Sequence, residues 1–142
     1  MLLWFAAFAV LGAWAVLRDA RFDYRLIALG AVLPDAIDAP FGHRALAHTL
    51  VFAVGSLAFV MLATINRRPL RRHLIAIPIG FFAHLVLDFV WVDKSLFWWP
   101  GFGTWGATGI EPALPWLVVR EAIGAVGAIV VIRRWRAGRL PS

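Results

Sequence analysis

Long apolar stretches punctuate the chain. Met1 to Leu17 is an unbroken run of apolar residues and glycine. Ala45 to Ile65 and Leu74 to Val92 follow, each carrying about twenty mostly apolar residues, enough to cross a hydrocarbon core ~30 Å thick as a helix. Leu114 to Ile132 is the last such run. A weaker segment lies between Tyr24 and Gly42, where Leu26 to Leu33 is apolar and the pattern then breaks at Pro34 to present Asp35 and Asp38. The pattern predicts an all-α, polytopic membrane protein with four to five transmembrane helical segments, one of them broken at the Pro-Asp turn. A single helical membrane domain covers residues 1–142. Met1 to Leu17 has neither the basic leader nor the small-residue cleavage site of a secretory signal, so it reads as a retained helix.

Composition and charge sharpen this picture. Of the 142 residues, 62% are hydrophobic and 15% charged, against about half and a quarter in an ordinary soluble domain, which excludes that class. Cysteine is absent, so disulfides and thiolate metal sites are excluded. The net charge of +6 does not imply nucleic acid, because the arginines fall in short clusters between apolar runs. Basic flanks stay on the cytoplasmic side. Arg67, Arg68, Arg71 and Arg72 in the loop 66–73, and Arg133, Arg134, Arg136 and Arg139 in the tail, are separated by two spans and place both that loop and the C-terminus in the cytoplasm. Segment 24–42 either crosses or re-enters. Crossing also brings Arg18, Arg21 and Arg25 inside and gives five segments with the N-terminus outside. The loop 93–113 is then external, with Phe97, Trp98, Trp99 and Trp105 as interfacial aromatics.

Ionisable residues inside spans are costly and demand a partner or a function. His48 lies three residues into its span, His84 and Asp88 one turn apart in the next, and Glu121 seven residues into the last. The helical rise converts these indices into depths of ~5 Å for His48, ~6 Å for Asp88, ~12 Å for His84 and ~10 Å for Glu121 from the outer face. Asp35, counted from the cytoplasmic face, meets His84 in depth. Asp35, Asp38, His43, His48, His84 and Asp88 thus form a set of carboxylates and imidazoles suited to a divalent transition metal, Zn, Mn or Fe, as one or two ions. Taken alone, His84 and Asp88 at i, i+4 read equally as a structural hydrogen-bonded pair. His43, beside Arg44 in a loop, reads as a ligand or as a solvated residue. Arg44 reads as an anion-binding residue or one that snorkels to the surface. His73 reads as solvated, Asp19 and Asp23 as partners of neighbouring arginines, Asp93 and Lys94 as interfacial.

The series Leu33-Pro-Asp-Ala-Ile-Asp-Ala-Pro40, Ala47-His-Thr49, His84-Leu-Val-Leu-Asp88 and Phe97-Trp-Trp-Pro-Gly-Phe-Gly103 resembles the YdjM-type family of inner-membrane metal-dependent hydrolases, in order over roughly residues 20–130. Asp35, Asp38, His48, His84 and Asp88 match that family's Pro-Asp turn, His-Ser and His-x-x-x-Asp motifs. Thr49 stands for the usual serine, and two residues rather than one separate the aspartates. The resemblance implies phosphoester chemistry, by distant similarity to zinc-dependent phospholipase C.

The expectation is a membrane-embedded metal-dependent hydrolase of a lipid or lipid-linked phosphoester using metal-activated water. Asp38 or Glu121 would act as bridging ligand or general base, and Arg44 would bind the anion. The competing readings are a metal-ion or proton carrier, and a structural membrane subunit with a stabilising metal.

Overall fold

The computed structural model describes residues 1–41, 44–103, 113–138 and 140. Its regular elements are all helical: α1 (Leu2–Leu17), α2 (Tyr24–Asp38), α3 (Leu50–Ala63), α4 (Arg68–Leu74), α5 (Ala76–Leu87), α6 (Lys94–Phe97) and α7 (Leu114–Arg136), with 3₁₀ turns at Ala39–Phe41, Leu46–His48 and Val90–Val92. No strand occurs among the described residues. Two helical stretches are long and apolar enough to cross a membrane, Arg68–Leu87 and Leu114–Arg136; α1 and α3 are apolar but shorter.

The long elements alternate in direction. Gly124 and Gly127 of α7 lie against Trp4 and Ala7 of α1, so those helices run parallel. Trp14 meets Tyr24 across the first turn, which returns α2 antiparallel to α1. Asp23 lies near His73 at one end and Asp35 near His84 at the other, so α2 and α5 also run parallel, with Gly30 and Ala31 facing Ile77 and Gly80 between. α5 is the central helix, packed on α1, α2 and α3. Around it Phe5, Ala9, Val10, Tyr24, Ile27, Ala31 and Ala76 form the main core, with a second cluster of Ala53, Phe81, Leu85, Val90 and Leu96 on the α3 side. Much of the outward surface of α3 and α7 is apolar: Phe59 is 71% exposed and Val126 62%. A soluble domain rarely leaves so continuous an apolar exterior.

Gly30 and Gly80 permit backbone contact between α2 and α5, as Gly124 does between α7 and α1. A Cβ on Gly30 would overlap the Ile77 carbonyl, and one on Gly80 the Ile27 carbonyl. Small residues that let helix backbones touch are the usual means of helix association in a lipid environment.

The sequence pattern needs correction at three places. α2 is not broken at Pro34; the helix continues through the proline to Asp38. A proline withdraws one backbone donor and crowds the carbonyl four residues back, but a helix survives where neighbours satisfy the freed groups. Here the carbonyl left without its donor is that of Gly30, at the close contact with α5, and the helix resumes beyond it, Ala39 N–H donating to the Asp35 carbonyl. Secondly, residues 45–49 precede their helix: Thr49 is the N-cap of α3, its hydroxyl accepting from Phe52 N–H. Thirdly, the basic segment 68–74 is helical and leads into α5, while Asp88 is the C-cap of α5 and the left-handed Phe89 ends it.

Candidate metal centre

The segment between α2 and α3 is folded around one buried carboxylate. Asp38, 3% exposed at the end of α2, accepts from Ala45 N–H at 2.7 Å and Ala47 N–H at 3.1 Å. Its Oδ2 also accepts from His48 Nδ1 at 2.7 Å, which turns the far edge of that imidazole inward. His84, fully buried on α5, donates through Nδ1 to the Ala31 carbonyl at 2.7 Å. A carbonyl oxygen only accepts, so the proton of the neutral ring sits on Nδ1 and Nε2 carries a lone pair. The carboxylate of Asp38 sets the same tautomer on His48.

The two Nε2 lone pairs therefore face each other, 3.1 Å apart. Asp35 Oδ1 completes a triangle at 3.4 Å from His48 Nε2 and 3.6 Å from His84 Nε2. Two imidazole nitrogens and one carboxylate oxygen converge on one point, an arrangement that a cation can bridge. A triangle with these edges has its centre about 2.0 Å from each corner, matching the 2.0–2.2 Å of metal–imidazole and metal–carboxylate bonds. Among the described residues these three side chains are the group able to hold a metal ion. The outer contacts have the form that orients metal-bound histidines, each ring fixed through its other nitrogen by a carboxylate or carbonyl. Phe5 of α1 covers His84, ring centroids 3.9 Å apart. Asp35 is 36% exposed and forms the open edge.

The structure places the other candidates around this triangle. Asp38 has both oxygens engaged behind His48, so its position is that of an orienting group. Asp88 is 6% exposed and gripped by Arg44 in a two-pronged ion pair, Nε–Oδ2 and Nη2–Oδ1 both 2.9 Å. Arg120 stands 3.9 Å from the same carboxylate. Glu121 lies at the start of α1, where its Oε1 accepts from Leu3 N–H at 3.1 Å, and is not gathered into the triangle. His43 lies outside the described residues. His73 is exposed, 3.9 Å from Asp23. Asp19 pairs with Arg21, whose hydrogen bonds hold its carboxyl below the usual carboxylate range. Asp93 caps α6, and the Ser95 hydroxyl lowers its carboxyl likewise.

Counting side chains, the layer holds four carboxylates (Asp35, Asp38, Asp88, Glu121) against two guanidiniums (Arg44, Arg120). Sequence reasoning reached the three ligands but missed Ala31 and Phe5, since a backbone carbonyl and a covering ring carry no signature in the chain.

Replacing Asp38 by asparagine is expected to keep all three ligands while weakening metal binding by about 10- to 100-fold, the scale for loss of an orienting partner. Titration against a competing chelator measures this. Unchanged affinity would show that Asp38 does not tune His48.

Set against family models, curated proteins and solved structures, the chain matches none of them.

Proposed function

We propose that the protein is a multi-pass membrane hydrolase that holds a divalent metal on Asp35, His48 and His84 and cleaves a phosphoester of a lipid or lipid-linked molecule. The observation that carries this reading is the convergence of two Nε2 lone pairs and one carboxylate oxygen on a point at metal-bond distance from all three. Three protein ligands with one side open is the arrangement of catalytic rather than structural zinc. Zinc suits the ligand types, as do manganese and iron. The resemblance to YdjM-type hydrolases supports the phosphoester, and the apolar exterior supports a substrate that arrives from the bilayer.

When bound, the metal would acidify water and stabilise charge on phosphoryl oxygens. The chain's own part is positional. Asp38 and the Ala31 carbonyl hold the imidazoles in the ligating tautomer. Phe5 shields one ligand from water, and Asp35 leaves an entry. The alternating helices gather Arg67, Arg68, Arg71, Arg72, Arg133, Arg134 and Arg136 at the end remote from the site. By the charge rule that end is cytoplasmic, and the site then serves the outer half of the bilayer. Five crossings fit this arrangement.

The test uses the full chain, purified and monodisperse in detergent. About one equivalent of metal is expected, with hydrolysis of at least one lipid phosphoester from a panel, lost with chelator and restored by Zn²⁺ or Mn²⁺. Stoichiometric metal without hydrolysis would favour the structural subunit, and metal uptake into vesicles the carrier. Reporter fusions at Arg68 and at the C-terminus are both expected to read cytoplasmic; opposite readings would overturn the five-crossing topology.

A further inference from the structure

Arg44 and Arg120 share Asp88 but are used differently. Arg44 spends Nε and Nη2 on the two carboxylate oxygens, both at 2.9 Å. Arg120 approaches Oδ1 only to 3.9 Å, beyond hydrogen-bond reach, and makes no hydrogen bond among the described residues. Its guanidinium lies over the rings of Trp4 and Phe89, 5.8 Å and 5.9 Å from their centroids. Those rings are apolar bodies that fix a cation without consuming its N–H groups. Its side chain is 14% exposed, so the cation is largely withdrawn from water yet still reachable. Among the described residues the Trp4 Nε1–H is a further buried donor without a partner, while the neighbouring Glu121 Oε2 is an unpaired acceptor.

Asp88 is four residues beyond His84 on α5, so this guanidinium layer lies about 6 Å along the axis from the imidazole layer. A tetrahedral oxyanion with one oxygen at the metal centre can present another across that span. A buried guanidinium whose donors no described residue engages is matched by such an acceptor group.

We propose that Arg120 is the anion-binding residue of this site: its guanidinium takes the non-bridging oxygens of a phosphoryl or phosphonyl ligand, while Arg44 is the fixed partner that neutralises Asp88. The proposal rests on the hydrolase reading for the identity of the anion, and moves the anion contact from the arginine that the sequence singles out to one it does not. Arg120 thereby acts as a substrate-positioning residue and not as a metal ligand.

The test measures binding of phenylphosphonate to the Zn²⁺-loaded full chain in detergent by calorimetry, for wild type, Arg120→Gln, Arg120→Lys and the remote control Arg134→Gln. Arg120→Gln is expected to keep its zinc and to raise the phosphonate Kd roughly 10- to 100-fold, the scale of a lost charge-assisted hydrogen bond. Arg120→Lys, which keeps the charge but not the planar fork, should recover part of the loss, and Arg134→Gln should bind as wild type. Where the glutamine variant does not stay monodisperse, the lysine variant carries the test, expected to bind more weakly than wild type. Wild-type Kd in a folded Arg120 variant overturns the proposal, as does a fall in thermal stability with binding intact, which marks a purely structural cation. If wild type holds no metal, the hydrolase reading falls by itself and the same comparison is made on metal-free protein. A phosphonate complex insensitive to Arg120 there, or no complex, overturns the anion subsite too.

Discussion

Replacing His84 with alanine is expected to abolish stoichiometric metal binding, a larger loss than the roughly 10- to 100-fold produced by removing an orienting contact. The side chain would supply one of three ligand atoms and is fully buried. Its removal also leaves the Ala31 carbonyl without its side-chain donor, at a cost of about 1–3 kcal/mol, so part of the effect appears as lower stability. His84→Gln separates the contributions: it retains polar atoms in the same space but not the imidazole. His73→Ala should bind metal as wild type, because that ring is exposed at the other end of the bundle. Metal analysis on monodisperse protein decides the matter, and full occupancy in His84→Ala would remove α5 from the ligand set.

The second large effect is expected from a single methyl group. Gly80→Ala directs a Cβ into the Ile27 carbonyl and the backbone at Gly30 and Ala31, atoms that cannot turn aside as a side chain could. α2 and α5 must separate, with a destabilisation of about 1–3 kcal/mol or more, the range for overfilling a packed interior. The same separation draws His84 away from Ala31 and Asp35, so metal affinity should fall although no ligand has changed. Gly55→Ala on α3 is the counterpart: nothing lies within 4 Å of its Cβ, and the better helix former should be neutral or stabilising by up to about 1 kcal/mol. Thermal unfolding and metal titration on the same preparations test both. Equal behaviour of the two variants would show that the α2–α5 contact is not as close as described.

Much of the centre was legible because cost and depth are written in the sequence. A histidine or aspartate among apolar neighbours announces itself, and counting 1.5 Å per residue from opposite faces brought Asp35 and His84 to one level, where they lie 3.6 Å apart. What a linear pattern cannot carry is the division of labour among such groups. Asp38, Asp88 and Glu121 all read as ligand or base candidates; only their neighbours show that one orients His48, another holds arginines and the third meets the first turn of α1. Pro34 misled for a related reason: proline's local penalty is visible, whereas the close packing of α5 along α2 that holds the helix through it is not. The small residues Ala76 and Gly80, four apart on one face of α5, were a readable signal of close packing that the hydropathy pattern alone passes over.

The three candidate ligands come from α2, from the turn before α3 and from α5, with Asp35 and His84 about a third of the chain apart. During synthesis, the first carboxylate is in place long before the last imidazole leaves the ribosome. No two consecutive segments complete the triangle, so the nascent chain has no finished trap for a passing ion. A metal ion held there would close across an assembled bundle like a bolt, and its removal is expected to loosen three segments together.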